Sequence, residues 1–325
     1  MVEMETASGQ QKRQPVSRRG FLRTAALSGA ALSMGLPRRA VWAMSGRPAK
    51  PIRFAYFTDV HARTEWDTPV AMARMVAALN AQRPDFVIAG GDLITDGFQS
   101  SSEAVAPRWK VLMDMVQTIE APFFPAIGNH DYVAARPVGG AVPSTNPRGE
   151  FLERFGLERT YRVERVSGVP FFFLDPIEVL GGEVNYRGWV DETQQAWIKS
   201  ELASVPAEQP VVLVTHIPLL TAFPQATAGA TAPVPIHRVV ANNREVLRLF
   251  QDHNLVLVLQ GHVHVDELLR WNKTTFITGG AVCARWWRGP RSGTEEGFGM
   301  VTMSENRVEW EYIDYGWEAR RPAGR

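Results

Sequence analysis

Phe54-Ala55-Tyr56-Phe57-Thr58-Asp59-Val60-His61 is an apolar run that stops on a carboxylate and an imidazole two positions apart. Taken over residues 52–58, it has the length and unbroken apolar character of a strand buried on both faces. The carboxyl end of such a strand is where an α/β scaffold presents functional groups. The arrangement recurs along the chain. Residues 86–89 run into Gly90-Gly91-Asp92, residues 123–127 into Gly128-Asn129-His130-Asp131, residues 211–215 into His216, and residues 255–259 into Gly261-His262. Residues 171–174 and 275–278 are further buried-strand candidates.

Helical patterns lie between these runs. Thr68-Pro69 is a cap followed by a first-turn proline, and Val70, Ala73, Val76, Ala77 and Leu79 follow at helical spacing. Residues 109–119, 192–202 and 243–251 behave alike. Strand–helix alternation through the first half implies βαβ units. From Thr274 onward strand follows strand, ending with residues 300–303 and 308–312. The predicted class is therefore α/β, and two packed sheets or one mixed sheet fit this asymmetry better than a pure doubly wound fold. With 325 residues, 45% of them hydrophobic, the chain suffices for one large domain, and no linker or solenoid-period repeat divides it.

Five of the seven histidines (His61, His130, His216, His262 and His264) sit at or near strand ends beside Asp, Asn or Gly. Residues Asp59 and His61, two apart at an extended strand end, are expected to point the same way and chelate one ion. The pair His262 and His264 has the same spacing after Gly261. Asp92 follows two glycines that permit close backbone approach, and one carboxylate can bridge two ions. Asn129 offers a carbonyl oxygen. Cys283 is the lone cysteine, so no intrachain disulfide and no thiolate cluster can form. An oxygen-and-imidazole donor set suits Mn, Fe or Zn.

The series Asp59-x-His61, Gly91-Asp92, Gly128-Asn129-His130-Asp131, His216 and Gly261-His262-x-His264 resembles the five-block signature of calcineurin-like metallophosphoesterases, in order across residues 54–264. The resemblance implies an αββα sandwich of two packed mixed β-sheets flanked by helices. The domain would span residues 44–325, with a motif-bearing core at about 52–280 and C-terminal strands at 298–314. It implies two divalent metal ions, one held by Asp59, His61 and His264, the other by Asn129, His216 and His262, with Asp92 bridging them. His130 would be the catalytic histidine, not a ligand, and Asp131 beside it would fix its orientation; Asp131 also reads as a cap or turn residue. The implied reaction is hydrolysis of phosphate mono- or diesters by hydroxide generated on the metals, with His130 stabilising the leaving group or the phosphorane charge. Purple acid phosphatases carry a tyrosine three residues after the bridging aspartate. Thr95 stands there, which argues against a ferric tyrosinate and leaves Thr95 or Asp96 a supporting role.

The N-terminal stretch reads as an address. Ser17-Arg18-Arg19-Gly20-Phe21-Leu22 precedes an Ala/Gly/Leu stretch over residues 25–36, and Val41-Trp42-Ala43 offers small residues at a cleavage site, predicting a mature start near Met44. The stretch is too short for a stable membrane span and resembles a twin-arginine (Tat) signal at residues 1–43; a disordered basic tail is the alternative. A Tat translocase as partner and a periplasmic or secreted location follow as expectations. Residues 1–43 hold seven basic and two acidic side chains, so without that +5 the remainder of a chain at +1 carries −4. An acidic body argues against a nucleic-acid partner and against a nuclease.

Ala284-Arg285-Trp286-Trp287-Arg288-Gly289-Pro290-Arg291 supports two readings. Arg285 and Arg288 with Trp286 could grip phosphate and stack on a substrate, or the tryptophans could pack beneath the C-terminal strands while the arginines are solvated. Residues 136–147 and 219–235 are long connections, either walls of the site or surface insertions. The leading expectation is a small-molecule phosphoesterase, with likeness to the bacterial branch that includes cyclic-nucleotide phosphodiesterases. An inactive metal- or ligand-binding relative is the alternative of another class. Oligomeric state is not legible.

Overall fold

The computed structural model describes residues 50–139, 141–304 and 306–320; the expected signal at residues 1–43 lies outside them. The first sheet holds β1 (Ile52–Phe57), β2 (Val87–Ala89), β3 (Phe123–Pro125), β12 (Gly297–Ser304) and β13 (Arg307–Asp314), in the order β13-β12-β1-β2-β3. The second holds β4 (Arg162–Val166), β5 (Val169–Phe173), β8 (Pro210–Val214), β9 (Asn254–Gln260), β10 (Glu267–Trp271) and β11 (Thr274–Thr278), in the order β10-β11-β9-β8-β5-β4. A hairpin of β6 (Ile177–Val179) and β7 (Tyr186–Gly188) stands apart. Both large sheets are mixed: β1, β2 and β3 run parallel, as do β5, β8, β9 and β11, while the β1–β12, β12–β13, β4–β5 and β10–β11 pairs are antiparallel.

The unbroken apolar runs follow from what each face meets. On β1, Phe54 and Tyr56 enter the layer between the sheets, where they join Phe171, Phe173, Val212, Val214 and Leu259 from the second sheet. Aromatic contacts span that layer, Phe54 and Phe86 each meeting Phe171 edge-on at 5.7 and 5.5 Å. The alternate residues Ala55 and Phe57 face α1 (Thr68–Ala81) and α2 (Ser102–Val116). The second sheet turns Phe172, Val211 and Leu213 toward α4 (Glu192–Leu202) and α6 (Asn243–Leu249), which follow the short α3 (Gly149–Phe155) and α5 (Phe223–Ala228). With both faces covered there is no solvated face to impose polar alternation. Two large mixed sheets flanked by helices are the architecture expected.

Differences are local. The helix expected over 109–119 starts two turns earlier, because Ser101 accepts the Ala104 amide as N-cap and Pro107 is accommodated in the second turn. Edge strands β4 and β10 and the β6–β7 hairpin, none of them expected, carry charged, partly exposed residues. No described helix is long and apolar enough to cross a membrane.

Candidate metal centre

The carboxyl ends of β1, β2 and β3 in one sheet and of β8 and β9 in the other lead into loops that meet. Beyond their last strand residues, the loops after β1 and β2 stay zipped. The amides of Asp59, His61 and Ala62 donate to the carbonyls of Gly91, Asp92 and Leu93, each at 2.9 Å. The side chains converge for a reason other than the strand pleat expected of them. Asp59, His61, Asp92, His262 and His264 all have left-handed backbones, with φ of 53, 45, 53, 72 and 58°. Non-glycine residues held this way cost about 1–3 kcal/mol each and gather at functional sites. Two glycines make room: Gly91 adopts φ 95°, and a Cβ on Gly128 would stand 2.9 Å from the Asp92 carboxyl carbon.

Each buried carboxylate divides its two oxygens between backbone and imidazoles. Asp59 Oδ2 accepts from the His262 amide at 2.9 Å and the Thr58 hydroxyl at 2.8 Å. Its Oδ1 faces His264 Nε2 at 3.1 Å and His61 Nε2 at 3.8 Å. Asp92 Oδ1 accepts from the His130 amide at 2.8 Å, while Oδ2 faces His216 Nε2 at 3.1 Å and His61 Nε2 at 3.7 Å. The rings are set from behind: His264 Nδ1 lies 2.6 Å from the Ala284 carbonyl and His216 Nδ1 2.9 Å from that of Gly90. Donating there leaves each Nε2 lone pair turned inward. His262 presents Nδ1, 3.3 Å from His216 Nε2. Cys283 is buried on the outer side of His264, its Sγ 3.8 Å from Nδ1.

This arrangement calls for a cation. His61 Nε2 and His264 Nε2 stand 3.2 Å apart, and with His264 Nδ1 on the Ala284 carbonyl its Nε2 lone pair faces the His61 ring. Asp59 Oδ1 and Asn129 Oδ1 are buried without a hydrogen-bond donor, which is costly unless something positive meets them. Burial alone would raise the Asp59 carboxyl, yet His264 and His216 outweigh it and hold it below the usual range. Burial likewise lowers the His216 imidazole, but Asp92 and Asp59 reverse this and push it up to about 9. His262 is driven down to about 3 by burial and then by the charge of His216. The donor set of oxygens and imidazoles fits divalent ions, and three groups have side-chain donors close enough to hold one: His61, Asp92 and His130; Asp92, His216 and His262; and His61 and His264 with Cys283.

His130 lies on the 3₁₀ turn after β3 and borders the cluster, its ring 4.7 Å from that of His61. The expectation that Asp131 orients it is not met. Asp131 points inward: Oδ1 accepts from the amides of Leu93 at 2.7 Å and Ile94 at 3.2 Å, and Oδ2 accepts from Gly128 at 2.8 Å. It is the turn residue of the alternative reading, tying the loops after β2 and β3 together. The partner of His130 is Asp96, whose amide donates to Nδ1 at 3.0 Å and whose carboxylate lies 3.7 Å away. Thr95 Oγ1 donates to the His61 carbonyl at 2.7 Å.

The tryptophan pair divides between its two readings. The ring of Trp286 lies 4.0 Å from that of His61 and 5.1 Å from those of His130 and His264. Trp287 is buried and donates from Nε1 to the His61 carbonyl at 3.1 Å. Arg285 and Arg288 are exposed and do not line the pocket over the cluster, Arg288 lying over the Trp66 ring instead. That pocket, about 200 Å³, is bordered at its floor by Asp92, His130, His262 and His264 and higher up by Trp286, Arg291, Tyr186, His237 and Arg238. The last three escaped sequence reasoning because they come from the β6–β7 hairpin and a loop, not from a strand end. Residues 136–147 do not line it; the 219–235 connection leads into it at His237 and Arg238.

The family model for calcineurin-like phosphoesterases matches residues 52–266. The chain belongs to the calcineurin-like phosphoesterase family. Among curated relatives of this chain is a probable glycerophosphodiester phosphodiesterase of Arcobacter nitrofigilis, 22% identical over 201 residues. The match takes in 60% of this chain and spans 62% of that relative's length. Among solved structures, a dimetal phosphatase from Danio rerio shares the fold with a TM-score of 0.58 at 16% identity, over 82% of this chain and 99% of that one. A purple acid phosphatase from yellow lupin seeds does so with a TM-score of 0.51 at 16% identity, over 83% and 52% of the two chains.

Proposed function

We propose that this phosphoesterase hydrolyses phosphate mono- or diesters at a centre of two divalent ions. Asp59, His61 and His264 would hold one, Asn129, His216 and His262 the other, and Asp92 would lie between them. One observation carries the reading: imidazole nitrogens crowd one buried space with the carboxylate oxygens of Asp59 and Asp92, and among the described residues Asp59 Oδ1 and Asn129 Oδ1 meet no hydrogen-bond donor. Similarity to a probable glycerophosphodiester phosphodiesterase supports diesters among the substrates. The oxygen-and-nitrogen donors favour Mn, Fe or Zn, and Thr95 at the tyrosine position of purple acid phosphatases argues against a ferric tyrosinate. The paired arginines at Arg18 and Arg19 support export of the folded chain.

When bound, such ions supply Lewis acidity toward phosphoryl oxygens and lower the pKa of water toward neutrality. The chain's own residues do the rest. Because the Asp96 amide donates to His130 Nδ1, the neutral ring carries its proton on Nε2, available to a phosphoryl or leaving oxygen in the pocket. The amide of His130 is itself bound to Asp92 Oδ1, so the backbone that carries the catalytic ring is tied directly to the carboxylate proposed to lie between the ion sites. Trp286 shields the His61 and His264 side from water.

Hydrolysis of bis-p-nitrophenyl and p-nitrophenyl phosphate by protein reconstituted with Mn, Zn or Fe tests the proposal. Turnover is expected with at least one ester. His130→Ala should retain metal yet lower kcat by about 10²–10⁴-fold. Bound metal without turnover of any ester would instead support the inactive-relative reading.

A further inference from the structure

Two arginines above the cluster take no part in the chemistry just described. Arg238 and Arg291 both line the pocket, and a gradient of burial separates them from its floor. Asp92 and His264 at the floor are buried, Arg291 is half-buried and Arg238 is exposed at the rim. Among the described residues neither guanidinium has a carboxylate partner, and Arg291 Nε is buried without any acceptor. Burial, and next the charge of Arg238, pull the Arg291 guanidinium below its ordinary value. Two like charges thus face one cavity.

Their backbones are pinned there independently. Arg291 and Thr294 exchange amide–carbonyl bonds at 2.8 and 2.9 Å across Ser292 and Gly293, whose φ values of 49 and 86° define a tight primed turn. Thr294 Oγ1 accepts the Asp266 amide at 3.0 Å, fastening that turn to the segment after His264. On the other wall, Gly188 donates to Ile236 and accepts from Ala241, each at 2.8 Å, so residues 236–241 are clamped to β7 around Arg238. Neither arginine depends on loop ordering to reach its place, which lowers the entropy cost of using it. Guanidinium forks suit phosphate and carboxylate, and repulsion between two of them is relieved when an anion lies between.

We infer that Arg238 and Arg291 form a second anion subsite, and that preferred substrates are phosphoesters whose organic arm bears a further negatively charged group. This rests on the hydrolytic reading and extends it from reaction to substrate class. A matched pair isolates the added charge: thymidine 5′-(p-nitrophenyl phosphate) with and without a 3′-phosphate. The 3′-phosphorylated ester should show about tenfold higher kcat/KM at low salt. That ratio should fall toward one in Arg238→Gln and Arg291→Gln and survive in part in Arg291→Lys, which keeps charge but not the fork.

Calorimetry supplies a readout independent of turnover. Thymidine 3′,5′-bisphosphate should bind about tenfold more tightly than thymidine 5′-monophosphate, and both glutamine variants should erase the difference. Equal kcat/KM for the two esters in the unaltered protein, or a preference that persists in both variants, would overturn the subsite. Failure to hydrolyse these diesters and p-nitrophenyl phosphate alike would sink the hydrolytic reading, and the calorimetric comparison would still decide the subsite.

Discussion

Asp59 and Asp92 each fix one oxygen on a backbone amide and offer the other to imidazoles, so the chain sets carboxylate geometry through its main chain. Asp131 serves the same end from behind, gathering three amides from two loops. Burial and the charge of Asp92 raise its carboxyl, and the amide donors of Gly128 and Ile94 oppose them. Asp131→Asn would turn an amide nitrogen toward at least one of those donors. We expect it to cost about 1–3 kcal/mol in denaturant unfolding. Asp96→Asn separates main chain from side chain. The contact to His130 is the Asp96 amide, and asparagine tolerates the φ of 51° there. Its kcat should stay within about threefold of the unaltered protein; a loss comparable to His130→Ala would show that the carboxylate 3.7 Å from Nδ1 is the working group.

Between elements, the decisive contact is the approach of the loop after β3 to the loop after β2. A Cβ on Gly128 would collide with the Asp92 amide and carboxyl group. Gly128→Ala should therefore cost about 1–3 kcal/mol by overpacking, and it should displace Asp92 enough to lower bound metal as well as activity. A stable variant with full metal content would refute the tight packing described. This contact also marks where sequence reading stopped. Strands β1, β2, β8 and β9 were legible because burial on both faces leaves unbroken apolar runs, and their polar ends named Asp59, Asp92, His216 and His262. Edge strands β4 and β10 were not, since Arg162, Glu164, Glu267 and Arg270 interrupt them. The left-handed backbones of Asp59 and His61 left no composition signal either. Strand pleat and two left-handed residues both bring His61 beside Asp59, and the structure uses the second. Adjacency is likewise a poor guide to Asp131: the amides of Leu93 and Ile94, 38 and 37 residues away in sequence, and that of Gly128 claim its carboxylate.

At the scale of the molecule, two sheets each contribute strand ends to one centre, so ions bound there would cross-link the halves of the sandwich. Metal binding should then be a stability term for the whole fold. Chelation ought to lower Tm by at least about 5 °C, the scale expected when ligand exceeds Kd by a few hundredfold or more. An unchanged Tm after demonstrated removal of metal would mean that the centre does not join the sheets. Reconstitution with ferric iron should give no tyrosinate absorption band in the visible, given Thr95 and its bond to the His61 carbonyl. By the proposed function this cluster holds two ions, and hydrolysis depends on them. Elemental analysis of reconstituted, desalted protein, paired with its rate on bis-p-nitrophenyl phosphate, tests that most directly. Two ions per chain are expected, with metal and activity both lost on chelation and both diminished in Asp92→Asn; an undiminished hydrolytic rate in protein freed of metal would contradict it.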